Sequence, residues 1–126
     1  MAVRSLRVAI LDDDPSVRVA ISRLLNASSM IGDSFATSID LFNAMETARP
    51  DCILVDLYMP TLDGLEVMSY LRQIGVTAPV IIMTAHDDPT LRDRCLRAGA
   101  TAYLRKPLEA AELLDSITRS ARPPTI

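Results

Sequence analysis

The chain alternates short runs rich in apolar residues, two of them wholly apolar, with longer stretches in which apolar residues recur every three or four positions. Short apolar runs rich in β-branched residues are typical of strands buried on both faces, and the longer spacing is typical of amphipathic helices. This pattern predicts strands at residues 6–11, 30–36, 52–55, 79–83 and 101–104. The run at 52–55 leads directly to Asp56. Burying an unpaired carboxylate is costly, so Asp56 is expected at an edge where a cation, a hydrogen-bond donor or a reactant meets it.

Helices are predicted at residues 15–25, 38–48, 65–73, 89–98 and 108–119. Asp14 and Pro15 suit the cap and the first position of the first helix, and Thr37 or Ser38 suits the cap of the second. Met30 and Met83 are expected in the core. The residues expected to face inward from the helices are Val17, Ala20, Ile21, Leu24 and Leu25; Ile39, Phe42 and Met45; Met68 and Leu71; Leu91, Cys95 and Ala98; and Ala111, Leu114 and Ile117.

Strands that alternate with helices at this spacing indicate a parallel sheet with helices on both faces, connected by right-handed crossovers. The predicted fold class is therefore α/β, a doubly wound parallel sheet of five strands with five helices. Ligands of such sheets bind beyond the carboxyl ends of the strands, where the winding direction reverses. Functional residues are therefore expected at those ends.

Size, charge and cysteine content narrow the functional classes. The 126 residues fit one domain, and a formal net charge of -3 argues against direct nucleic-acid binding. Cys52 and Cys95 are too few and too far apart for a disulfide framework or a metal knuckle, so both are expected to be reduced and packed. The sequence has neither a signal-peptide core nor an apolar run of membrane-spanning length. The expected location is the cytoplasm, with no membrane contact.

Polar residues of complementary chemistry follow four of the predicted strands. Asp12 and Asp13 follow the first strand, Asp56 the third, Thr84 the fourth and Lys106 the fifth. Two carboxylates about 4 Å apart repel by about 4 kcal/mol at an effective dielectric constant of about 20, so three of them favour a bound cation. Ligands that are all oxygen suit Mg²⁺ or Mn²⁺ better than zinc. A lysine and a hydroxyl that face the same point would hold an anion sharing the metal, an arrangement that fits phosphoryl transfer.

Five motifs stand in order at the ends of the predicted strands: Asp12-Asp13, Asp56 with Met59-Pro60, Asp63-Gly64, Thr84-Ala85 and Lys106-Pro107. Each is common by chance, but the ordered set resembles the response-regulator receiver domain of two-component signalling. The resemblance covers essentially the whole chain. It implies a flavodoxin-like fold with strand order 2-1-3-4-5, a receiver domain over residues 1–121, and a tail or the start of a linker at 122–126.

The resemblance implies a phosphoacceptor and a metal site. Asp56 is expected to accept a phosphoryl group from a sensor histidine kinase or a phosphotransfer protein and to form an acyl phosphate. Asp13 is expected to bind Mg²⁺ or Mn²⁺ directly, and Asp12 to assist. Asp56 and the backbone carbonyl of Tyr58 complete the implied ligand set.

The resemblance also implies a switch. Thr84 would bond a phosphoryl oxygen, and Lys106 would pair with the phosphoryl group and precede a cis peptide bond. Tyr103 would turn inward as Thr84 moves toward the phosphate, which changes the surface of the fourth helix, fifth strand and fifth helix. That surface would bind a downstream protein or a second copy of the chain. Tyr58 and His86 stand at positions whose side chains flank the route of water to the phosphoryl group in this family, so their rings are expected to modulate its lifetime.

Three other functions fit parts of the pattern. A phosphatase of the haloacid-dehalogenase type also places a nucleophilic aspartate after a strand, but its general acid two residues later would here be Tyr58. A flavodoxin-like cofactor binder has the same fold, yet three acids after the first strand would repel a flavin phosphate. A receiver that serves only for dimerisation is disfavoured by the intact acidic set. The chain is therefore expected to be a signalling domain whose only catalysis is its own phosphorylation and slow dephosphorylation.

Overall fold

The structure, a computed structural model, describes residues 5–86 and 88–121. Strands and helices alternate along this part of the chain, as the apolar pattern predicts. The elements are β1 (Arg7–Leu11), α1 (Pro15–Ala27), β2 (Ile31–Phe35), α2 (Ser38–Ala44), β3 (Cys52–Asp56), α3 (Gly64–Gln73), β4 (Val80–Thr84), α4 (Pro89–Arg97), β5 (Ala102–Arg105) and α5 (Ala110–Ala121). The predicted tail at 122–126 lies outside the described residues.

The strands form one parallel sheet in the order β2-β1-β3-β4-β5. The fold class is therefore the doubly wound α/β fold that was expected. The chain proceeds from β1 outward to β2 and then returns to the other side of β1 for β3, so the winding direction reverses between β1 and β3. A crevice at the carboxyl ends of strands is a feature of this reversal, and β1 and β3 are the strands that lead to the predicted acids.

The core consists of two apolar layers, one on each face of the sheet. Helices α1 and α5 cover one face and contribute buried residues Ile21, Leu25, Leu113 and Ile117. Helices α2, α3 and α4 cover the other face and contribute Leu41, Val67, Met68, Leu71, Leu91 and Cys95. Strands β3 and β4 are buried at every position, which explains their wholly apolar runs.

Some of the predicted inward faces are wrong. On α2, Leu41 is fully buried whereas Ile39 is 63% exposed, and on α5 Leu113 is buried in place of Leu114, which is half-buried. Each of these helices has adjacent apolar residues, so two stripes about 100° apart fit the same sequence. Packing against the sheet selects the stripe of Leu113. Three small residues expected inside, Ala20, Ala98 and Ala111, are exposed, and Met30 is half-buried rather than in the core.

Acidic and hydroxyl side chains fix where the helices begin. Asp14 accepts a hydrogen bond from Ser16 N at the start of α1, and Thr37, not Ser38, caps α2. Asp63 and Glu66 form a capping box at the start of α3. These caps set the loops that follow β1, β2 and β3, and with them the rim of the crevice. Within the described residues, no helix is both long enough and apolar enough to cross a membrane.

Candidate functional site

Three polar residues are buried in the described part of the chain, and all three lie at the carboxyl edge of the sheet. They are Asp12, Asp56 and Thr84, exposed by 0%, 7% and 0%. Asp12 follows β1, whereas Asp56 and Thr84 are the last residues of β3 and β4. Buried polar groups are costly without partners, so their concentration at one edge identifies the functional centre of the fold.

Asp12, Asp13 and Asp56 form an acidic cluster. One carboxylate oxygen from each lies within 4.8 Å of the others. At that separation each pair of unit charges repels by about 3 kcal/mol at an effective dielectric constant of about 20. The exposed position of Asp13 opens the cluster to solvent, while Asp12 and Asp56 lie deeper. Three clustered carboxylates with one open side fit a hard cation such as Mg²⁺, which prefers oxygen ligands and retains part of its water.

Lys106 supplies the positive charge of the cluster. Its Nζ donates to Asp12 Oδ2 at 2.6 Å and lies 3.5 Å from Asp56 Oδ1. Burial alone would lower the pKa of Lys106, but the hydrogen bond to Asp12 and the charge of Asp56 outweigh it and raise the pKa above its ordinary value. Lys106 therefore remains protonated at neutral pH. The peptide bond to Pro107 is cis, as the resemblance implies.

At Asp56, in contrast to Lys106, the effect of burial on the pKa prevails over the attraction of the opposite charge. Burial raises its pKa, and the nearby charge of Asp12 adds to the effect, whereas Lys106 opposes both. Asp12 Oδ1 accepts from Asp14 N at 3.0 Å and Asp12 Oδ2 from Lys106 Nζ at 2.6 Å, whereas Asp56 accepts from the backbone of Tyr58 and lies farther from Lys106 Nζ, at 3.5 Å. Asp56 is thus the carboxylate of the pair with more to gain from a new partner.

The loop that begins α3 approaches the strand end that bears Asp56. Gly64 N donates to Leu57 O at 2.8 Å. A Cβ at Gly64 would lie 3.0 Å from Leu57 Cα and 3.1 Å from Asp56 O, which are backbone atoms that cannot yield easily. Glycine therefore allows α3 to pack directly behind Asp56, which gives a physical reason for the Asp63-Gly64 motif.

Thr84 and Tyr103 meet at the backbone of His86. His86 N donates to Thr84 Oγ1 at 3.1 Å, and Tyr103 Oη donates to His86 O at 3.0 Å. The His86 ring is exposed and packs edge-on against the ring of Tyr58, with centroids 5.0 Å apart and an interplanar angle of 87°. The structure thus joins the four residues predicted for switching and for phosphate lifetime in one connected group.

Two contacts of the backbone at the site could not be predicted from the sequence. One is the backbone of His86, which links Thr84 to Tyr103 through an amide and a carbonyl that carry no residue-type signal. The other is Arg18, whose Nη1 donates to Asp12 O at 2.7 Å from the first turns of α1. A six-residue separation across a loop and a helix start matches no periodic pattern, so only the folded geometry reveals the contact.

The whole sheet and its acidic edge correspond to a known family. A model of the response regulator receiver domain matches residues 8–118. The chain belongs to this family. It is therefore a signalling domain of the two-component type rather than a classical enzyme, as the order of the five motifs predicted.

Relatives of this receiver domain include longer regulators. It is 35% identical over 113 residues to the DNA-binding transcriptional regulator NtrC of Proteus hauseri, a match covering 90% of this chain and 24% of that protein. It is 36% identical over 110 residues to the response regulator MprA of Mycobacterium bovis, covering 87% of this chain and 48% of that protein. The chain spans about half or less of the length of these curated relatives.

Solved receiver structures have the same fold. The chemotaxis protein CheY4 of Vibrio cholerae superposes with a TM-score of 0.86 at 25% identity, covering 93% of this chain and 99% of that one. The receiver domain of the putative response regulator NarL of Mycobacterium tuberculosis superposes with a TM-score of 0.83 at 27% identity, covering 93% and 96%. The doubly wound sheet of this chain is thus the fold of these solved receiver proteins.

Proposed function

We propose that Asp56 is the phosphoacceptor of this receiver domain. The observation that carries the proposal is the position of Asp56 at the end of β3, buried, with the pKa of its carboxyl raised and Asp12, Asp13 and Lys106 around it. A carboxylate oxygen of Asp56 attacks the phosphorus of a phosphohistidine. The P–N bond breaks, the imidazole leaves with the electron pair, and an acyl phosphate forms.

Lys106 and Thr84 would hold the transferred group. Phosphoryl transfer develops charge on the equatorial oxygens, and preorganised donors near those oxygens lower the barrier. The ammonium of Lys106 already lies 3.5 Å from Asp56 Oδ1, so a phosphoryl group on Asp56 enters its reach. Thr84 Oγ1 accepts from His86 N, and its hydroxyl hydrogen remains a donor for a phosphoryl oxygen.

Asp12, Asp13 and Asp56 are proposed to hold Mg²⁺, with the carbonyl of Tyr58 as a further ligand. Three carboxylate oxygens within 4.8 Å form a donor set of the kind Mg²⁺ or Mn²⁺ requires. A bound divalent ion supplies charge neutralisation on the phosphoryl oxygens. Asp13 is the exposed member of the cluster, which makes it the ligand that an entering ion meets first.

Replacing Asp13 with alanine is expected to abolish the thermal stabilisation that Mg²⁺ gives to the wild type. For an ion that binds only the folded state, that stabilisation is about 1.4 kcal/mol at a concentration of ten times Kd. Scanning calorimetry with EDTA and with Mg²⁺ measures the increment. Asp14→Ala is the matched control, because it removes the neighbouring charge and the α1 cap but leaves the cluster intact. Retention of the increment in Asp13→Ala would place the ion elsewhere.

Phosphorylation is tested on the wild-type chain with acetyl phosphate and Mg²⁺. Intact-mass measurement is expected to show the gain of one phosphoryl group. Reduction of the acyl phosphate with borohydride followed by peptide mapping is expected to locate it at Asp56. No mass gain, or a gain mapped to another residue, would overturn the proposal.

The group formed by Thr84, His86 and Tyr103 is proposed to transmit phosphorylation to the surface. A Thr84 hydroxyl drawn to the phosphoryl group alters the hydrogen bond with His86 N, and His86 O is the acceptor of the Tyr103 hydroxyl. Phosphate binding therefore biases the position of the tyrosine ring and the α4-β5-α5 surface. That surface is proposed to bind a downstream protein or a second copy of the chain. Size measurement with and without beryllofluoride distinguishes a phosphorylation-linked dimer from a constant oligomeric state.

Replacing Tyr58 with asparagine is expected to shorten the lifetime of the acyl phosphate severalfold. The Tyr58 and His86 rings pack edge-on beside the strand ends and are proposed to restrict the approach of water. The decay of phosphorylated protein in Mg²⁺ is followed by intact mass. Tyr70→Asn is the control, since Tyr70 is a similarly exposed tyrosine on α3 that packs on Phe42. Equal decay rates for Tyr58→Asn and wild type would remove the shielding role.

A further inference from the structure

Arg18 connects helix α1 to the acidic cluster through the backbone. Its Nη1 donates to Asp12 O at 2.7 Å, and the side chain is half-buried. The carbonyl lies between the end of β1 at Leu11 and the start of α1 at Pro15, where neither the sheet ladder nor the helix continues. Arg18 therefore supplies a donor that regular structure does not provide at this point.

The contact restrains the peptide group that joins Asp12 to Asp13. A peptide group is planar, so holding its oxygen restricts the rotation of the whole group, including the nitrogen of Asp13. The direction in which the Asp13 side chain leaves the backbone is thereby restrained as well. The other polar atoms of Asp12 are already held. Its nitrogen donates to Phe35 O at 3.2 Å, and its two carboxylate oxygens accept from Asp14 N and Lys106 Nζ.

We infer that Arg18 is a positioning residue, which orients Asp13 for Mg²⁺ by holding the carbonyl of Asp12. The inference rests on the proposed function, because it assigns a further residue to the same metal site. Arg18 acts through hydrogen-bond geometry and does not touch the ion. Residues that orient ligands in this way typically change metal affinity by about 10-fold to 100-fold when they are replaced.

The sign of the effect separates positioning from simple charge. A guanidinium near an acidic cluster repels a divalent cation, so removal of its charge alone would tighten Mg²⁺ binding. Loss of positioning weakens Mg²⁺ binding instead, because Asp13 no longer has a fixed direction. The two effects therefore predict opposite changes in Kd for the same substitution.

The test compares Arg18→Gln with Arg23→Gln by titration calorimetry of Mg²⁺ binding. Arg23 is an exposed arginine on the same helix, so its replacement removes the same charge. We expect the Kd of Arg18→Gln to rise about tenfold and that of Arg23→Gln to stay unchanged or fall. Arg18→Lys keeps the charge with a shorter donor, and its Kd is expected between those of wild type and Arg18→Gln. At saturating Mg²⁺, the phosphorylation rate of Arg18→Gln with acetyl phosphate is expected to approach the wild-type rate.

Urea unfolding in EDTA separates positioning from a general loss of stability. The inference would be overturned if Arg18→Gln had a lower unfolding midpoint but an Mg²⁺ Kd equal to that of Arg23→Gln. Tighter Mg²⁺ binding by Arg18→Gln than by wild type would overturn it as well. If Arg18→Gln does not fold, Arg18→Lys decides alone, since a raised Kd supports positioning and a wild-type Kd overturns it. Failure of the wild type to bind Mg²⁺ would instead overturn the proposed metal site, and the inference with it.

Discussion

Replacing Asp56 with asparagine is expected to abolish the phosphoryl mass gain and to stabilise the metal-free domain at neutral pH. The first effect follows because an amide cannot form the acyl phosphate. The second follows because Asp56 is buried beside Asp12, and an amide carries no charge to be desolvated or repelled. Lys106 keeps its 2.6 Å partner, Asp12, in the variant. The domain is thus predicted to become more stable when its phosphoacceptor is replaced, because the functional site lowers the stability of the wild type.

The pH dependence gives the stability effect a definite sign. The pKa of Asp56 in the folded state lies above its ordinary value of 3.8, so between the two values the folded state retains a proton that the unfolded state has released. Wild-type stability therefore falls as pH rises through that window, and the loss persists above it. Asparagine lacks this loss. The difference in melting temperature between Asp56→Asn and wild type in EDTA is expected to be positive at neutral pH and to shrink as pH falls toward 3.8.

Asp63→Asn is the matched control for both measurements. Asp63 follows β3 in the same connection but caps α3, and asparagine is as good a cap as aspartate. The control is expected to keep the mass gain and to show little change in melting temperature. A mass gain that survives in Asp56→Asn would contradict the assignment of the phosphoacceptor. A lower melting temperature for Asp56→Asn in EDTA would contradict the electrostatic account of Asp56.

The sequence pattern was sufficient to predict the sheet and the edge where the acids meet. In a parallel sheet all strands finish at the same edge, so a polar residue that follows an apolar run has a predictable position regardless of the loop that comes next. For this reason Asp12, Asp13, Asp56 and Lys106 could be grouped before any geometry was known. Their roles in phosphorylation still rest on the family, and the mutations above test them.

The pattern did not predict how each helix is rotated about its axis or which contacts the backbone makes. Leu113 and Leu114 are chemically equivalent neighbours, and only packing against β3 and β5 decides which one is buried. The ion pair of Lys106 with Asp12 was also not predicted, since the sequence indicated a lysine for an incoming phosphate. The folded site satisfies that lysine with a carboxylate of its own, which changes what a lysine substitution should do.

Replacing Lys106 with methionine is expected to lower the free energy of unfolding of the metal-free domain by about 3 kcal/mol. Asp12 is fully buried and Lys106 is the cation that pairs with its carboxylate, so the substitution leaves a buried charge without its counter-ion. Methionine retains most of the side-chain volume, which limits the loss of packing. Urea unfolding in EDTA measures the change. Arg119→Met is the control, because its ion pair with Asp115 is exposed and should contribute at most about 0.5 kcal/mol.

Magnesium is expected to recover most of the stability lost in Lys106→Met. A divalent ion among Asp12, Asp13 and Asp56 replaces the missing positive charge, and without the ammonium as a competitor it should bind more tightly than in wild type. The change in oligomeric state or partner binding that is proposed to follow phosphorylation is expected to be lost in the same variant, because no ammonium remains to pair with the phosphoryl group. An unfolding midpoint equal to that of wild type in EDTA would mean that the Asp12–Lys106 contact contributes no net stability. A normal response to beryllofluoride in Lys106→Met would show that Lys106 is not needed to couple the phosphoryl group to the surface.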